Sequence, residues 1–444
     1  TMTSKVISIL PKNDESCGWI KQIPSRQVQP ALSGKQHADW VVIGAGFTGL
    51  AAARQLALLH PQARIVVLEA QRAAEGSSAR NSGFLVDSTL NEGHYSAAGL
   101  ELYRRKYEIK RAGVLAVQRL VTDLGINCDL EAKGKFHCTA VKSHEIKLIN
   151  FSKLLNELEL NHKIIEGEEL LQRLGSSYYR MGLWTEGGVT LQPAKLVRGM
   201  VEKLPQQVEL YENSPVINWR KLSNSEDFQL STPEGQVSCQ KLIVAVNGFM
   251  TSCGVKPNRS FSLTLTASMT RPLTAEEDEA IGRPEPWGVL SAQSMGATVR
   301  LTKDRRILMR NTAEVWPKQN MSVADLELRK AKHLNGIKRR FPQLGDDIIE
   351  STWSGTICLS GNNANVFSEL DNGMYAAGCY NASGIGLGVL FGTEIANLAS
   401  GKMTDEIRMI QTNSEPMLLP PQPLLRWGVG LRLMRDRFLA QHEQ

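Results

Sequence analysis

The sequence predicts an α/β chain of two domains. One is built on parallel strands around a nucleotide-binding turn, the other is an α+β domain on a mixed or antiparallel sheet. Two stretches and the length carry this reading. "VVIGAGFTGLAAARQL", residues 41–56, passes from a β-branched run to helical apolar spacing through Gly44, Gly46 and Gly49, a G-x-G-x-x-G pattern in the strand, turn and helix context it requires. "ATVRLTKDRRILMRN", residues 297–311, alternates on both sides of a charged K-D-R turn and predicts a β-hairpin. At 444 residues, 42% hydrophobic and 22% charged, the chain is long enough to bury two cores.

Residues 1–38 are polar and irregular and read as a surface-wrapping arm. "WVVIG" is the first buried strand, "FTGLAAARQLALLH" the helix after it, and "RIVVLEA" a second buried strand, which completes a βαβ unit. Gly44 permits the tight turn, Gly46 lets the backbone approach a pyrophosphate, and Gly49 lets the helix pack on the strand. The helix N-terminal amides then face the phosphate charge. Glu69 stands 20 residues beyond Gly49 at the end of the second strand, where a carboxylate accepts from ribose hydroxyls and disfavours a 2′-phosphate. The pattern leaves NAD and FAD both open, with a purely structural glycine turn as the alternative.

The next segment, "EAQRAAEGSSARNSGFL", resembles the E-x6-G-[AS]-S-x-R-N-x-G segment of the D-amino-acid oxidase, glycine oxidase and sarcosine oxidase superfamily of flavoproteins, above all its gamma-glutamylputrescine oxidoreductase-like branch. The resemblance implies a discontinuous Rossmann-type domain with FAD as cofactor. It implies cofactor contacts from Gly44, Gly46, Phe47, Thr48 and Gly49, from Glu69 and Ala70, and from Ser77, Ser78, Arg80, Asn81 and Gly83. Later stretches resemble the family in its own order. Pro193 opens a helix in "GGVTLQPAKLVRGM", and "VELYENSPVINW" places Val216 on the adenine side. "KLIVAVNGFM" ends beside the cofactor at Asn247 and Gly248. "GMYAAGCYNASGIGLGVLFGTEIANL" resembles the last strand, a glycine turn, and a helix beginning at Ser383, Gly384, Ile385 and Gly386 beneath the flavin ring.

The implied organisation is an FAD-binding domain from 39–92, 186–252 and 353–402, a substrate domain from 93–185 and 253–352, and a C-terminal tail over 403–444. Two departures from the family pattern stand out. Ala382 and Ser383 replace the Gly and His of its G-[YF]-S-G-H-G turn, and Cys358 falls near the place where monomeric sarcosine oxidases attach flavin through a thioether. A buried cysteine beside a strand is ordinarily a small apolar filler, so a noncovalent FAD is expected.

The chemistry implied is hydride removal from the carbon bearing the nitrogen of an amine or amino acid to flavin N5, followed by hydrolysis of the imine, with oxygen or a quinone as acceptor. A desolvated amine loses its proton more readily, so no strong protein base is needed. If the substrate carries a carboxylate, a guanidinium must meet it. Arg300 and Arg310 on the hairpin are the candidates, against the alternative of a solvated sheet face. Tyr380 and Trp353 are the aromatic candidates, against ordinary core packing, and Lys303 in the turn reads as solvated. The rival reading is a flavoprotein subunit whose FAD is structural.

The formal charge of +6 is modest and the cations are scattered outside the C-terminal tail, which argues against a nucleic-acid partner. Seven cysteines without a C-x-x-C pair, and histidines without ligand spacing, predict neither a disulfide framework nor a metal site, and fit a reducing cytoplasmic setting. The opening "TMTSKVISILPKNDE" has no basic segment followed by an apolar run, so no secretory leader is expected, and Thr1 before Met2 reads as vector-derived. "PPQPLLRWGVGLRLMRDRFLAQ", residues 420–441, alternates apolar anchors with arginines. It reads either as a helix packed on the protein or as a peripheral contact with the inner face of a membrane, weakened by Gly428 and Gly430. The oligomeric state is left open.

Overall fold

The computed structural model describes residues 3–90, 97–318 and 320–444; Thr1, Met2 and the expected 92/93 boundary lie outside them. Among the described residues the strands build a nine-stranded sheet, an eight-stranded sheet and a two-stranded ladder.

The centre of the first sheet is parallel. Val208–Tyr211, Ile65–Leu68, Gly34–Ile43, Gly235–Val244 and Met374–Gly378 lie side by side in that spatial order. In chain order this is third, second, first, fourth and fifth, so the winding reverses between Gly34–Ile43 and Gly235–Val244, and a crevice opens at their carboxyl ends. Where both faces are covered, as at Ile65–Leu68, Met374–Gly378 and the carboxyl-terminal halves of Gly34–Ile43 and Gly235–Val244, the strands are apolar runs. Val42, Val67 and Ile243 point into a core shared with the helices Phe47–Leu59, Pro193–Glu202 and Gly384–Ala399. Val41, Val66, Leu242 and Val244 point into a second core closed by Trp219, Phe228 and Leu230 of an antiparallel meander.

The turn at the crevice is set by contact. Gly44 has φ +104°, and a Cβ there would lie 2.3 Å from the Ala245 carbonyl oxygen. A Cβ on Gly49 would lie 1.7 Å from the Gly44 carbonyl oxygen, so the helix approaches the strand only because both are glycine. The long helix Ala97–Leu124 crosses Gly384–Ala399 backbone to backbone, and a Cβ on Gly113 would sit 2.8 Å from the Gly386 carbonyl carbon.

The second sheet is mixed, as expected. Its order is Ile349–Leu359, Phe261–Thr270, Ile307–Glu314, Thr298–Leu301, Trp287–Ser291, Lys135–Thr139, Met181–Thr185 and His162–Glu166, antiparallel except where Trp287–Ser291 runs parallel to Lys135–Thr139. The expected hairpin is Thr298–Leu301 with Ile307–Glu314, and Thr298 stands opposite Arg310. Ile349–Leu359 crosses the expected 352/353 boundary as one strand of this sheet.

The N-terminal segment differs from an irregular arm. Its first buried strand begins at Gly34 rather than Trp40, pairing Gly34–Ala38 with Gly235–Cys239. That stretch alternates exposed and covered residues, which makes "GKQHAD" polar. Ser4–Val6 adds an edge strand, and the short helix Gly18–Lys21 buries Trp19.

Under the second sheet, the helix Val323–Arg340 buries His333 against Phe261–Thr270. Its Nδ1 lies 2.6 Å from Ser268 Oγ, which in turn lies 2.7 Å from Thr352 Oγ1. Burial pushes the His333 pKa down to about 3, with the Lys332 and Arg310 charges adding to it. The unfolded chain takes up this proton near the ordinary value of about 6.5, so stability is full above that pH and is lost progressively as pH falls toward 3. Going from about pH 7 to about pH 5.5 should cost the wild type about 1 kcal/mol more than His333→Gln in urea unfolding. Equal losses would refute neutral burial.

Candidate active site

A cavity of about 920 Å³ runs from the crevice to the second sheet, at the large end of small-molecule sites. At its inner end lies the N-terminus of Phe47–Leu59. Its N-cap residue, Gly46, supplies no side-chain cap, and no acidic residue stands in its first turn. Phe47 N–H donates to Ser78 Oγ at 3.0 Å, which brings the loop after Glu69 onto the turn. Free first-turn amides without a competing carboxylate are what a pyrophosphate needs.

Glu69 lines the same end. Its Oε2 accepts from Ala45 N–H at 2.9 Å and its Oε1 from Gln71 N–H at 3.2 Å, which fixes the carboxyl and leaves lone pairs for ribose hydroxyls. Desolvation pushes its pKa up against those two hydrogen bonds. Gly44, Gly46, Thr48, Ala70 and Val216 share this wall. Ser77, Ser78, Arg80, Asn81, Asn247 and Gly248 line the middle, and Tyr380, Gly384 and Ile385 stand where the helix Gly384–Ala399 begins.

Four residues expected at the cofactor do not line the cavity. Gly49 is spent on the Gly44 carbonyl and Gly386 on the crossing with Gly113. Gly83 faces the Leu191 carbonyl, and Ser383 precedes the helix with its N–H on the Tyr380 carbonyl. All four are small residues at tight backbone junctions around the cavity. Their service is to its shape.

The arginines divide by partner. Arg80 is buried and donates to the carbonyls of Glu75 and Ser354, and to Asp14 at 3.0 Å. Burial pushes Asp14 up, but hydrogen bonds from Ser16 and the Arg80 charge hold its carboxyl below the usual range. Arg300 does not line the cavity. It donates to the carbonyls of Ser82 and Leu191 at 2.9 and 2.7 Å and lies over the Trp19 ring, a strut between the sheets. Arg310 does line the cavity, 2.5 Å from Thr298 Oγ1, and among the described residues no carboxylate pairs with it. Desolvation alone pushes it down to about 10.

Tyr380 also lines the cavity, but its hydroxyl is 2.6 Å from Thr48 Oγ1, and burial raises its pKa, so it stays protonated. Its turn is held in an uncommon shape. Cys379, Asn381 and Ala382 have φ of +59°, +51° and +73°, braced by Asn247 Oδ1 accepting from Cys379 N–H and by Asn381 Nδ2 donating to the Ala364 carbonyl. Cys358 lines the cavity, and a hydrogen bond from the Cys379 thiol lowers its pKa against the effect of burial. Trp353, also on the wall, donates to the Arg80 carbonyl.

Sequence reasoning missed Asn13 and Asp14 of the N-terminal segment, Thr264 and Thr266 of the second sheet, and Leu425 and Val429 of the C-terminal helix Leu424–Leu439, all on the cavity wall. None sits in a motif. They reach the cavity through long-range packing alone.

Residues 39–398 match the sequence profile of the family described as DAO, FAD dependent oxidoreductase. The chain belongs to this family. It is an FAD-dependent oxidoreductase, and FAD is its cofactor. This DAO-family chain is 25% identical over 399 residues to the "Probable oxidoreductase OrdL" of Rhizobium meliloti, covering 86% of this chain and 88% of that one. It is 25% identical over 372 residues to the gamma-glutamylputrescine oxidoreductase of Escherichia coli, covering 82% and 84%. Its fold matches the crystal structure of glycine oxidase from Geobacillus kaustophilus with a TM-score of 0.68 at 17% identity, covering 83% and 96% of the two chains.

The residues on the cavity wall fit the cofactor: the helix end without an acidic residue would take a diphosphate, and Glu69 would accept from a ribose. Glu69→Gln keeps the shape and loses the charge, which is worth about 1.5–3 kcal/mol in a charge-assisted hydrogen bond, so FAD affinity should fall by about ten- to a hundredfold. Titrating apoprotein with FAD while following flavin fluorescence measures it. An unchanged affinity would remove Glu69 from the site.

Proposed function

We propose that this DAO-family protein oxidises the C–N bond of an amino acid, giving an imine that water hydrolyses, with oxygen or a quinone taking the electrons. The observation that carries this reading is Arg310, a desolvated guanidinium with no carboxylate partner among the described residues, facing the cavity that begins at the glycine turn. A buried cation without a counter-ion is costly, and a substrate carboxylate supplies one. The gamma-glutamylputrescine oxidoreductase and glycine oxidase among its relatives, both named for nitrogen-bearing substrates, support the same class.

In this reading the segments 39–92, 186–252 and 353–402 hold FAD, and those at 93–185 and 253–352 shape the substrate space. Glu69 holds the ribose, the amides after Gly46 and Ser78 the diphosphate, and Tyr380 and Ile385 stand at the ring end. Bound FAD supplies the two-electron acceptor for hydride from the carbon bearing nitrogen. The chain's own residues bind and orient. Thr298 fixes the Arg310 guanidinium, Arg310 fixes the carboxylate, and burial of the amine in the cavity favours its neutral form by penalising its cation. Tyr380, locked on Thr48, is a wall and a positioning residue rather than a base.

Arg310→Met should raise KM for amino acids by roughly a hundredfold or more, the cost of leaving a buried carboxylate unpaired, while leaving FAD content intact. Anaerobic flavin bleaching with amino acids and with the matching decarboxylated amines reads it. If the Arg310→Met variant bleaches as readily as wild type, Arg310 holds no substrate, and if no amine or amino acid bleaches the wild type, the FAD is structural.

Noncovalent attachment is the expectation for Cys358, a buried cysteine packed in a strand as a small apolar filler. Acid precipitation should leave a colourless pellet and a yellow supernatant. A yellow pellet lost in Cys358→Ser would establish a thioether instead.

A further inference from the structure

The C-terminal helix Leu424–Leu439 is turned the wrong way for an ordinary surface helix. Leu433 is buried, and Leu425 and Val429 face the cavity. On the opposite side Trp427, Leu431, Met434 and Phe438 are 65%, 68%, 65% and 69% exposed, and Leu424, 56% exposed, begins their row at the helix start while also bordering the cavity. Their alternating spacing of three and four places all five within one sector of about 80° at 100° per residue. The helix is not a loose tail. Its far end is held by Glu443, which accepts from Ala140 N–H at 3.1 Å and contacts His144, while Arg340 donates to the carbonyls of Glu443 and Gln444. The stripe is therefore presented by the folded protein at a fixed place.

What surrounds the stripe selects its partner. Arg426, Arg432 and Arg435 are exposed on the same helix. Asp436 is its one acidic residue, 20% exposed and already 3.9 Å from Arg432. A second copy of this helix would cover the apolar stripe but would bring arginine against arginine with no carboxylate to answer them. A bilayer of anionic lipid satisfies both features: the acyl boundary takes the five large side chains, the headgroups take the guanidiniums, and Trp427 suits the interface between them. Met417 and Leu418, 49% and 64% exposed just before the helix, extend the apolar surface. We propose that this helix docks the protein peripherally on an anionic lipid surface. No helix among the described residues is long and apolar enough to cross a membrane, so the contact lies in the interfacial plane.

The test uses the full FAD-loaded chain sedimented with vesicles of phosphatidylcholine alone or of phosphatidylcholine with phosphatidylglycerol. The wild type should pellet with the anionic vesicles, and a paired Trp427→Ser, Phe438→Ser variant should lose roughly tenfold or more of that partitioning with unchanged flavin content. Arg435→Glu should weaken binding several-fold more than Arg119→Glu, an equal charge reversal on the helix Ala97–Leu124. Three results would overturn the proposal: no pelleting of the wild type, equal loss in the two charge reversals, or self-association that the paired variant abolishes without any vesicle binding. Amine-driven bleaching, measured on the same preparations, separates this outcome from the fate of the amino-acid reading.

Discussion

The closest approach in the molecule governs the rest: the helix Phe47–Leu59 lies against the strand that precedes it with no room for a side chain between them. Gly49 meets the Gly44 carbonyl, and Gly44 meets the Ala245 carbonyl of the neighbouring strand. Strand, helix and next strand thus converge on one point, and the helix amides emerge at the crevice where the winding reverses. Were either glycine larger, the helix would shift outward, the Phe47 amide would leave Ser78, and the loop carrying Arg80 and Asn81 would lose its seat. The second sheet has meaning only relative to that point. It closes the space above the turn and brings Thr298 and Arg310 over it.

Charge inside the protein is distributed with a purpose that shows by contrast. Arg80 and Arg300 are buried more fully than Arg310, and each is surrounded by backbone carbonyls, with Asp14 on Arg80 as well. Those two are structural ties, one fastening the N-terminal segment to the cofactor loop, the other fastening one sheet to the other. Arg310 has a hydroxyl and open space. Ser383, at the position where the resembled pattern has a His, takes no part in the cavity wall, which is in keeping with the proposal that Arg310 on the second sheet meets the substrate. The turn that would have carried the His keeps its shape through side-chain braces on Cys379 and Asn381 rather than through glycine.

Local contacts were legible in the sequence, and distant ones were not. The βαβ unit, the hairpin and the last strand and helix all announce themselves by period and by glycine, because each is specified by neighbours within a few residues. Arg310 was visible as one of two arginines on adjacent hairpin strands, but the choice between them depends on Ser82 and Leu191, far off in the chain. The N-terminal segment was the poorest reading. Gly34–Ala38 is polar because it runs past the helices that cover the rest of its strand, and Asp14 reaches the cavity only by pairing with Arg80. The four small residues that lie off the cavity wall show the same limit: a glycine motif marks a close approach without saying whether ligand or backbone is approaching.

The order of the parallel sheet bears on how the protein is made. Its five central strands come from residues 34–43, 65–68, 208–211, 235–244 and 374–378, and the strand at 374–378 leads into the helix that floors the ring end of the cavity. A nascent chain on the ribosome therefore holds the glycine turn and Glu69 long before it holds Tyr380 or Ile385. From the making of residue 244 until residues 374–378 follow, the half-built sheet has an open edge at Leu242–Val244 and an apolar face awaiting its helix, the kind of surface on which chaperones act and aggregates nucleate. If the proposed contacts hold FAD, its capture is a late event, and by joining segments separated by more than 300 residues it would act as a staple across the slowest contacts of the fold.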